Sequence, residues 1–115
     1  MKRFDPQLKS LVVLPADAGA ENAPLEHSVR WLKQTLPRPV DVLHAENRDD
    51  VRHREYAHVV YIGRTESLRK MLGTEANIPR LRGDAYCCRT IAENPSVICL
   101  GAGNDRGVQY AAGEL

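Results

Sequence analysis

The chain has 115 residues, the size of one domain, and its 43% hydrophobic and 27% charged content can bury a core, which excludes a compositionally disordered chain. Sixteen basic and fifteen acidic residues leave a formal charge of +1, removing the electrostatic case for nucleic acid or an anionic membrane as the main partner. No apolar run approaches the ~18 residues of a membrane-spanning helix.

In chain order, Leu11-Val12-Val13-Leu14 reads as a short buried strand ended by Pro15. In residues 24 to 36, Leu25, Val29, Leu32 and Leu36 recur at spacings of 4, 3 and 4, one apolar stripe on an amphipathic helix. Pro24 suits its first turn, Pro37 lies just past its end, and Trp31 beside the stripe is expected to pack rather than to be exposed. Val40 to Leu43 reads as an edge strand with polar alternation. Glu46 to Glu55 holds seven ionisable residues besides His53 and reads as a solvated loop or short surface helix. Val59-Val60-Tyr61-Ile62-Gly63 is the most apolar strand and is expected at the centre of the sheet. Thr65 is expected to cap a short helix carrying Leu68, Met71 and Leu72, stopped by Gly73. Residues 73 to 83 form a long connection. Tyr86 to Ile91 and Ser96 to Leu100 form a hairpin across Ala92-Glu93-Asn94-Pro95, and a last helix starts at Arg106. The expected fold is α/β (α+β): a mixed sheet of about five strands, an antiparallel hairpin toward the C-terminus and two to three helices packed on it.

Met1-Lys2-Arg3 and Ala16-Asp17-Ala18 imitate the ends of a signal peptide, but Asp5, Pro6 and Lys9 interrupt the roughly 7–15-residue apolar region such a peptide needs. Neither a leader nor a compartment is read from this chain. The three cysteines, Cys87, Cys88 and Cys99, are too few for a disulfide scaffold. With His44, His53 and His58 they show no metal-ligand spacing. If Ile91 faces Ser96, Cys88 faces Cys99 and the two are reduced core neighbours, with Cys87 on the other face.

One stretch has the form of a chemical motif. Val97 to Leu100 leads into Gly101-Ala102-Gly103-Asn104-Asp105-Arg106-Gly107: a strand, a glycine turn and a helix start. Such a turn could cradle a phosphate or nucleotide on backbone N–H groups. The dinucleotide fingerprint, however, has one residue fewer before its third glycine and an acidic residue about 20 positions further on, and only eight residues follow Gly107. The structural alternative is a tight strand exit at Gly101 and Gly103, a cap from Asn104 or Asp105, and a close helix approach at Gly107. Arg106, a cation where the helix dipole disfavours one, then calls for a specific acceptor, a carboxylate or a carbonyl in a neighbouring domain.

The run Ile98 to Ala111 resembles the end of a non-catalytic α/β domain of glycoside hydrolases, the one preceding the barrel in α-glucuronidases and family 20 β-N-acetylhexosaminidases. Gly101, Asp105, Arg106, Gly107 and Tyr110 match that pattern. The resemblance extends back to Leu11 through Gly83-Asp84-Ala85-Tyr86, Val60-Tyr61-Ile62-Gly63-Arg64 and the first strand, Glu21 turn and helix. Ser28 and Val29 depart from the paired alanines usual there, and Pro37-Arg38-Pro39 replaces a glycine turn. The resemblance implies that residues 1–115 are one accessory domain, a fragment preceding a catalytic barrel that carries the catalytic carboxylates. It implies no catalytic residues in this chain; no cofactor or metal residues are read from the chain either, and Asn104, Asp105, Arg106 and Tyr110 are the candidate inter-domain contact or cap positions. The rival class is a small nucleotide- or phosphate-binding fragment built on the Gly101–Gly107 turn. Autonomous catalysis fits poorly, because Glu46, Asp49 and Asp50 lie in a solvated run rather than a sheltered pair.

Overall fold

Leu11 to Leu14 form the middle of β1 (Ser10–Pro15), a strand buried along its whole length in a computed structural model that describes residues 9–16, 23–37, 39–93 and 96–115. The signal-like start, the Glu21 turn and the Asn94-Pro95 hairpin loop lie outside the described residues. An uninterrupted apolar run fits a strand covered on both faces. β1 is followed by α1 (Ala23–Thr35), β2 (Val40–Ala45), β3 (His58–Arg64), α2 (Thr65–Leu72), β4 (Tyr86–Glu93), β5 (Ser96–Ala102) and α3 (Asp105–Gly113). Short 3-10 turns at Arg48–Asp50, His53–Glu55 and Thr74–Ala76 punctuate the connections.

The five strands form one sheet in the order β2-β1-β3-β5-β4. All neighbours are parallel except β4 and β5, which run antiparallel. The expected mixed α/β sheet is therefore the observed one, with β3 at its centre and β2 and β4 at its edges. Side chains alternate between two cores. Val12, Val60, Ile62 and Leu100 point to the face covered by α1 and α3, where Leu25, Leu32, Val108 and Ala111 meet them. Val13, Val59, Tyr61 and Cys99 point to the face covered by α2 and the long connections, against Leu68, Met71, Val51 and Ile78.

Local details follow the chemistry of the sequence. Gly73 ends α2 at φ 78°, a conformation that favours glycine. Ser28, one of the departures from alanine, is fully buried, and its hydroxyl donates to Pro24 O at 2.8 Å within its own helix. Buried Ser10 is held by two proline carbonyls: its Oγ donates to Pro37 O at 2.7 Å and its N–H to Pro39 O at 3.0 Å.

Three expectations are corrected. Trp31 is 44% exposed rather than packed, because it sits about 100° around the helix from Leu32 and so outside the stripe. Thr65 is the first residue of α2 rather than its cap, a position held by Arg64. Its side chain turns inward, 3% exposed, and its Oγ1 accepts from Leu81 N–H at 3.4 Å. The hairpin register also differs. The strands pair as far as Glu93 and Ser96, and an irregularity between Thr90 and Ala92 removes Ile91 from the ladder, so Cys88 faces Leu100 and Arg89 faces Cys99. One extra residue flips every later side chain to the other face. Cys88 is thus exposed on the α1/α3 face, while Cys87 shares the α2 face with buried Cys99. Burial, followed by the neighbouring thiols, pushes Cys99 up to about 12, so it is an unreactive core thiol.

Tyr61 is fully buried, and its hydroxyl has one side-chain partner, His53 Nε2, at 2.5 Å. Burial and then the nearby Arg48 guanidinium hold the His53 pKa below its ordinary 6.5, against a smaller opposing effect of a hydrogen bond with the Val51 backbone. The unfolded chain therefore takes up this proton before the folded one, and stability rises with pH across that window. The His53 contribution is expected to be complete above pH 6.5 and lost as the pH falls through the lowered native value. Urea midpoints measured from neutral to mildly acidic pH should show that acid slope, and His53→Gln, which can still pair with Tyr61, should flatten it. An unchanged slope in the variant would rule the assignment out.

Candidate functional site

In parallel sheets, ligands sit beyond the carboxyl ends of the strands, where the strand order reverses. Here that rim is formed by Pro15-Ala16 after β1, Ala45-Glu46 after β2, Arg64-Thr65 after β3 and Gly101 to Asn104 after β5. Among the described residues, two hollows open along it. A smaller one of about 280 Å³ lies between Pro15, Ala45 and Glu46 and the α2 residues Ser67, Lys70 and Met71. A larger one of about 540 Å³ lies between α2 and the segment Arg80–Arg82. They share Lys70.

The glycine turn is packed against its own chain. A β-carbon on Gly103 would lie 2.5 Å from the Arg82 carbonyl carbon, and one on Gly107 would lie 2.7 Å from Ala102 Cβ and 2.8 Å from Asp84 O. Two of its N–H groups are engaged as well: Gly103 donates to Ala85 O at 3.1 Å and Gly107 to Asn104 Oδ1 at 2.8 Å. These glycines admit the 82–85 segment, and the space a phosphate would need is filled by backbone.

The four residues singled out in the sequence divide into two groups. Asn104 is the cap of α3, accepting from Gly107 N–H, and its Nδ2 donates to Asp84 Oδ1 at 2.9 Å. Asp105 receives a two-pronged contact from Arg64, whose Nε and Nη2 donate to Oδ1 and Oδ2 at 3.0 Å each, the strong geometry for this pair. Arg106 lies 3.9 Å from Asp84 Oδ2. At that length the contact is an ion pair rather than a hydrogen bond, and with both groups well exposed the pair contributes little. Tyr110 also faces outward, 50% exposed. Its ring lies 6.5 Å from that of Tyr86 at 59°, and the Tyr86 hydroxyl donates to Glu114 Oε1 at 2.6 Å. That hydrogen bond, reinforced by the carboxylate charge, raises the Tyr86 pKa.

Asp84 and Arg64 were not singled out as partners. The signal lay in the sequence, an arginine directly after a strand-ending glycine and an aspartate in a Gly-Asp turn, but their pairing spans 20 and 41 residues. Among the described residues no group of three or more His, Cys, Asp or Glu side chains could hold a metal ion, and no helix is long and apolar enough to cross a membrane. No protein-family model and no curated protein sequence matches the chain.

Proposed function

We propose that this chain is a non-catalytic accessory domain of a carbohydrate-active enzyme, a glycoside hydrolase, that packs against a catalytic barrel following it. The sequence resemblance suggests the class, and one structural observation carries it further. Tyr110, a residue that matches the family pattern, is half exposed beside Tyr86, 40% exposed, with Leu115, 37% exposed, at the end of the same chain segment. Asn104 and Asp105 are tied to Asp84 and Arg64 within the chain, and the exposed Arg106 stands 3.9 Å from Asp84. The turn thus serves to set α3, and the aromatic pair on α3 and the β4 edge is the surface offered to a neighbouring domain. Tyrosine suits such a contact, because it offers a large apolar ring with a polar tip. The nucleotide reading of the Gly101–Gly107 turn finds no comparable support, since the turn is filled by residues 82–85.

The reading frame beyond Leu115 is expected to encode the βα repeats of a barrel; a native stop codon there would sink the reading. The isolated domain is expected to give no turnover on a panel of aryl glycosides. Turnover that disappears in an Asp or Glu variant of this chain would refute the non-catalytic assignment.

A further inference from the structure

The larger hollow on the strand rim has a lining out of keeping with the chain's near-neutral charge. Arg69, Lys70, Arg80 and Arg82 surround it, with Glu66 as the single carboxylate among the described residues. Glu66, Arg69 and Lys70 share one face of α2 through their spacing. Arg80 and Arg82 come from the segment that returns from α2 toward β4.

That segment is held in place. Ile78 is 2% exposed in the core, and its carbonyl accepts from Arg69 Nη1. Leu81 N–H donates to Thr65 Oγ1, and Arg82 O accepts from Ala85 N–H at 3.2 Å. The Arg82 backbone lies against Gly103. The cations therefore converge from two fixed supports. Lys70, Arg80 and Arg82 are exposed, and their side chains make no ion pair or hydrogen bond among the described residues. A whole chain of +1 that gathers four cations against one carboxylate around a single concavity has segregated its charge. Such a cleft focuses a positive potential and raises the local concentration of anions. Guanidinium forks match planar or tetrahedral oxyanions in paired hydrogen bonds, and the lysine adds a point charge. The volume of about 540 Å³ lies in the range of small-molecule sites.

We propose that this cleft binds a compact, multiply charged oxyanion, a phosphate monoester or a small polycarboxylate, held by Lys70, Arg80 and Arg82. This site is separate from the Tyr86–Tyr110 surface and does not depend on the accessory-domain reading.

The test is an NMR titration of the chain with inorganic phosphate in one arm and citrate in the other, at constant ionic strength set with chloride. Saturable shifts confined to residues 65–82 are expected in one or both arms. Saturation by phosphate alone assigns the phosphate-ester class, and saturation by citrate alone the polycarboxylate class. Each arginine removed should weaken binding about tenfold, so the Arg80→Gln, Arg82→Gln double variant should lose about a hundredfold. Glu66→Gln, which deletes the carboxylate of the described lining, should tighten binding several-fold. Absence of saturation in both arms, or affinity unchanged in the double variant, would overturn the proposal. If the double variant is unfolded by circular dichroism, Glu66→Gln decides alone, and unchanged or weaker binding in that variant overturns it.

Discussion

Gly103→Ala is expected to lower the unfolding free energy by about 3 kcal/mol, the upper range for overpacking a filled site. The new methyl would lie 2.5 Å from the Arg82 carbonyl carbon and 2.6 Å from both Arg82 Cα and Gly83 N. All three are backbone atoms, so no side-chain rotation relieves the clash. That backbone is itself tied down, because Ala85 N–H donates to Arg82 O at 3.2 Å and Gly103 N–H to Ala85 O at 3.1 Å. Gly113→Ala is the matched control: nothing lies within 4 Å of its added carbon, and a helical alanine there should be neutral or stabilising by up to about 1 kcal/mol. Urea denaturation of the three proteins makes the comparison. A Gly103→Ala midpoint equal to the parent's would mean that the 82–85 segment does not rest on the glycine turn.

Leu68→Ala should cost about 3 kcal/mol through the cavity it leaves between α2 and the sheet. Leu68 is fully buried, and its Cδ1 would lie 3.2 Å from a β-carbon on Gly101, with Thr65 Cγ2 at 2.9 Å. Gly101→Ala therefore destabilises on its own by pressing on α2. Combined with Leu68→Ala, the new methyl occupies part of the vacated volume, and the double variant should be more stable than the sum of the two single costs by about 1 kcal/mol. Strict additivity in this cycle would show that Gly101 is not small for the sake of Leu68.

Which parts of this molecule could be read from its residues follows from the range of the interactions involved. The hydrophobic run Leu11 to Leu14, the α1 stripe, the α2-ending Gly73 and the Asn104 cap are decided by residues within one or two turns of each other. They were therefore legible. The strand sequence and the hairpin likewise implied a mixed sheet, and the observed sheet is mixed, with β4 antiparallel at one edge. Trp31 is exposed because one residue turns it about 100° away from Leu32 and off the stripe, a local angle that the sequence already contained. Thr65 departs from its expectation because its hydroxyl partner, Leu81, arrives from 16 residues away.

The cysteines show the limit most sharply. Alternation along β4 is a local property, and it correctly placed Cys87 and Cys88 on opposite faces. Their relation to Cys99 depends on register, which the irregularity at Ile91 shifts by one residue, and one residue exchanges the faces. The candidate sites follow the same division. Sequence alone determined the strand order along the chain, the amphipathic helices, the glycine turn and its cap. Only the tertiary structure decided that Arg64 pairs with Asp105, that Asp84 joins Asn104 and Arg106, and that Arg80 and Arg82 stand opposite Arg69 and Lys70 across one cleft. The physical reason is that close approach between distant segments is set by the packing of the intervening elements on the sheet, and no local spacing encodes it.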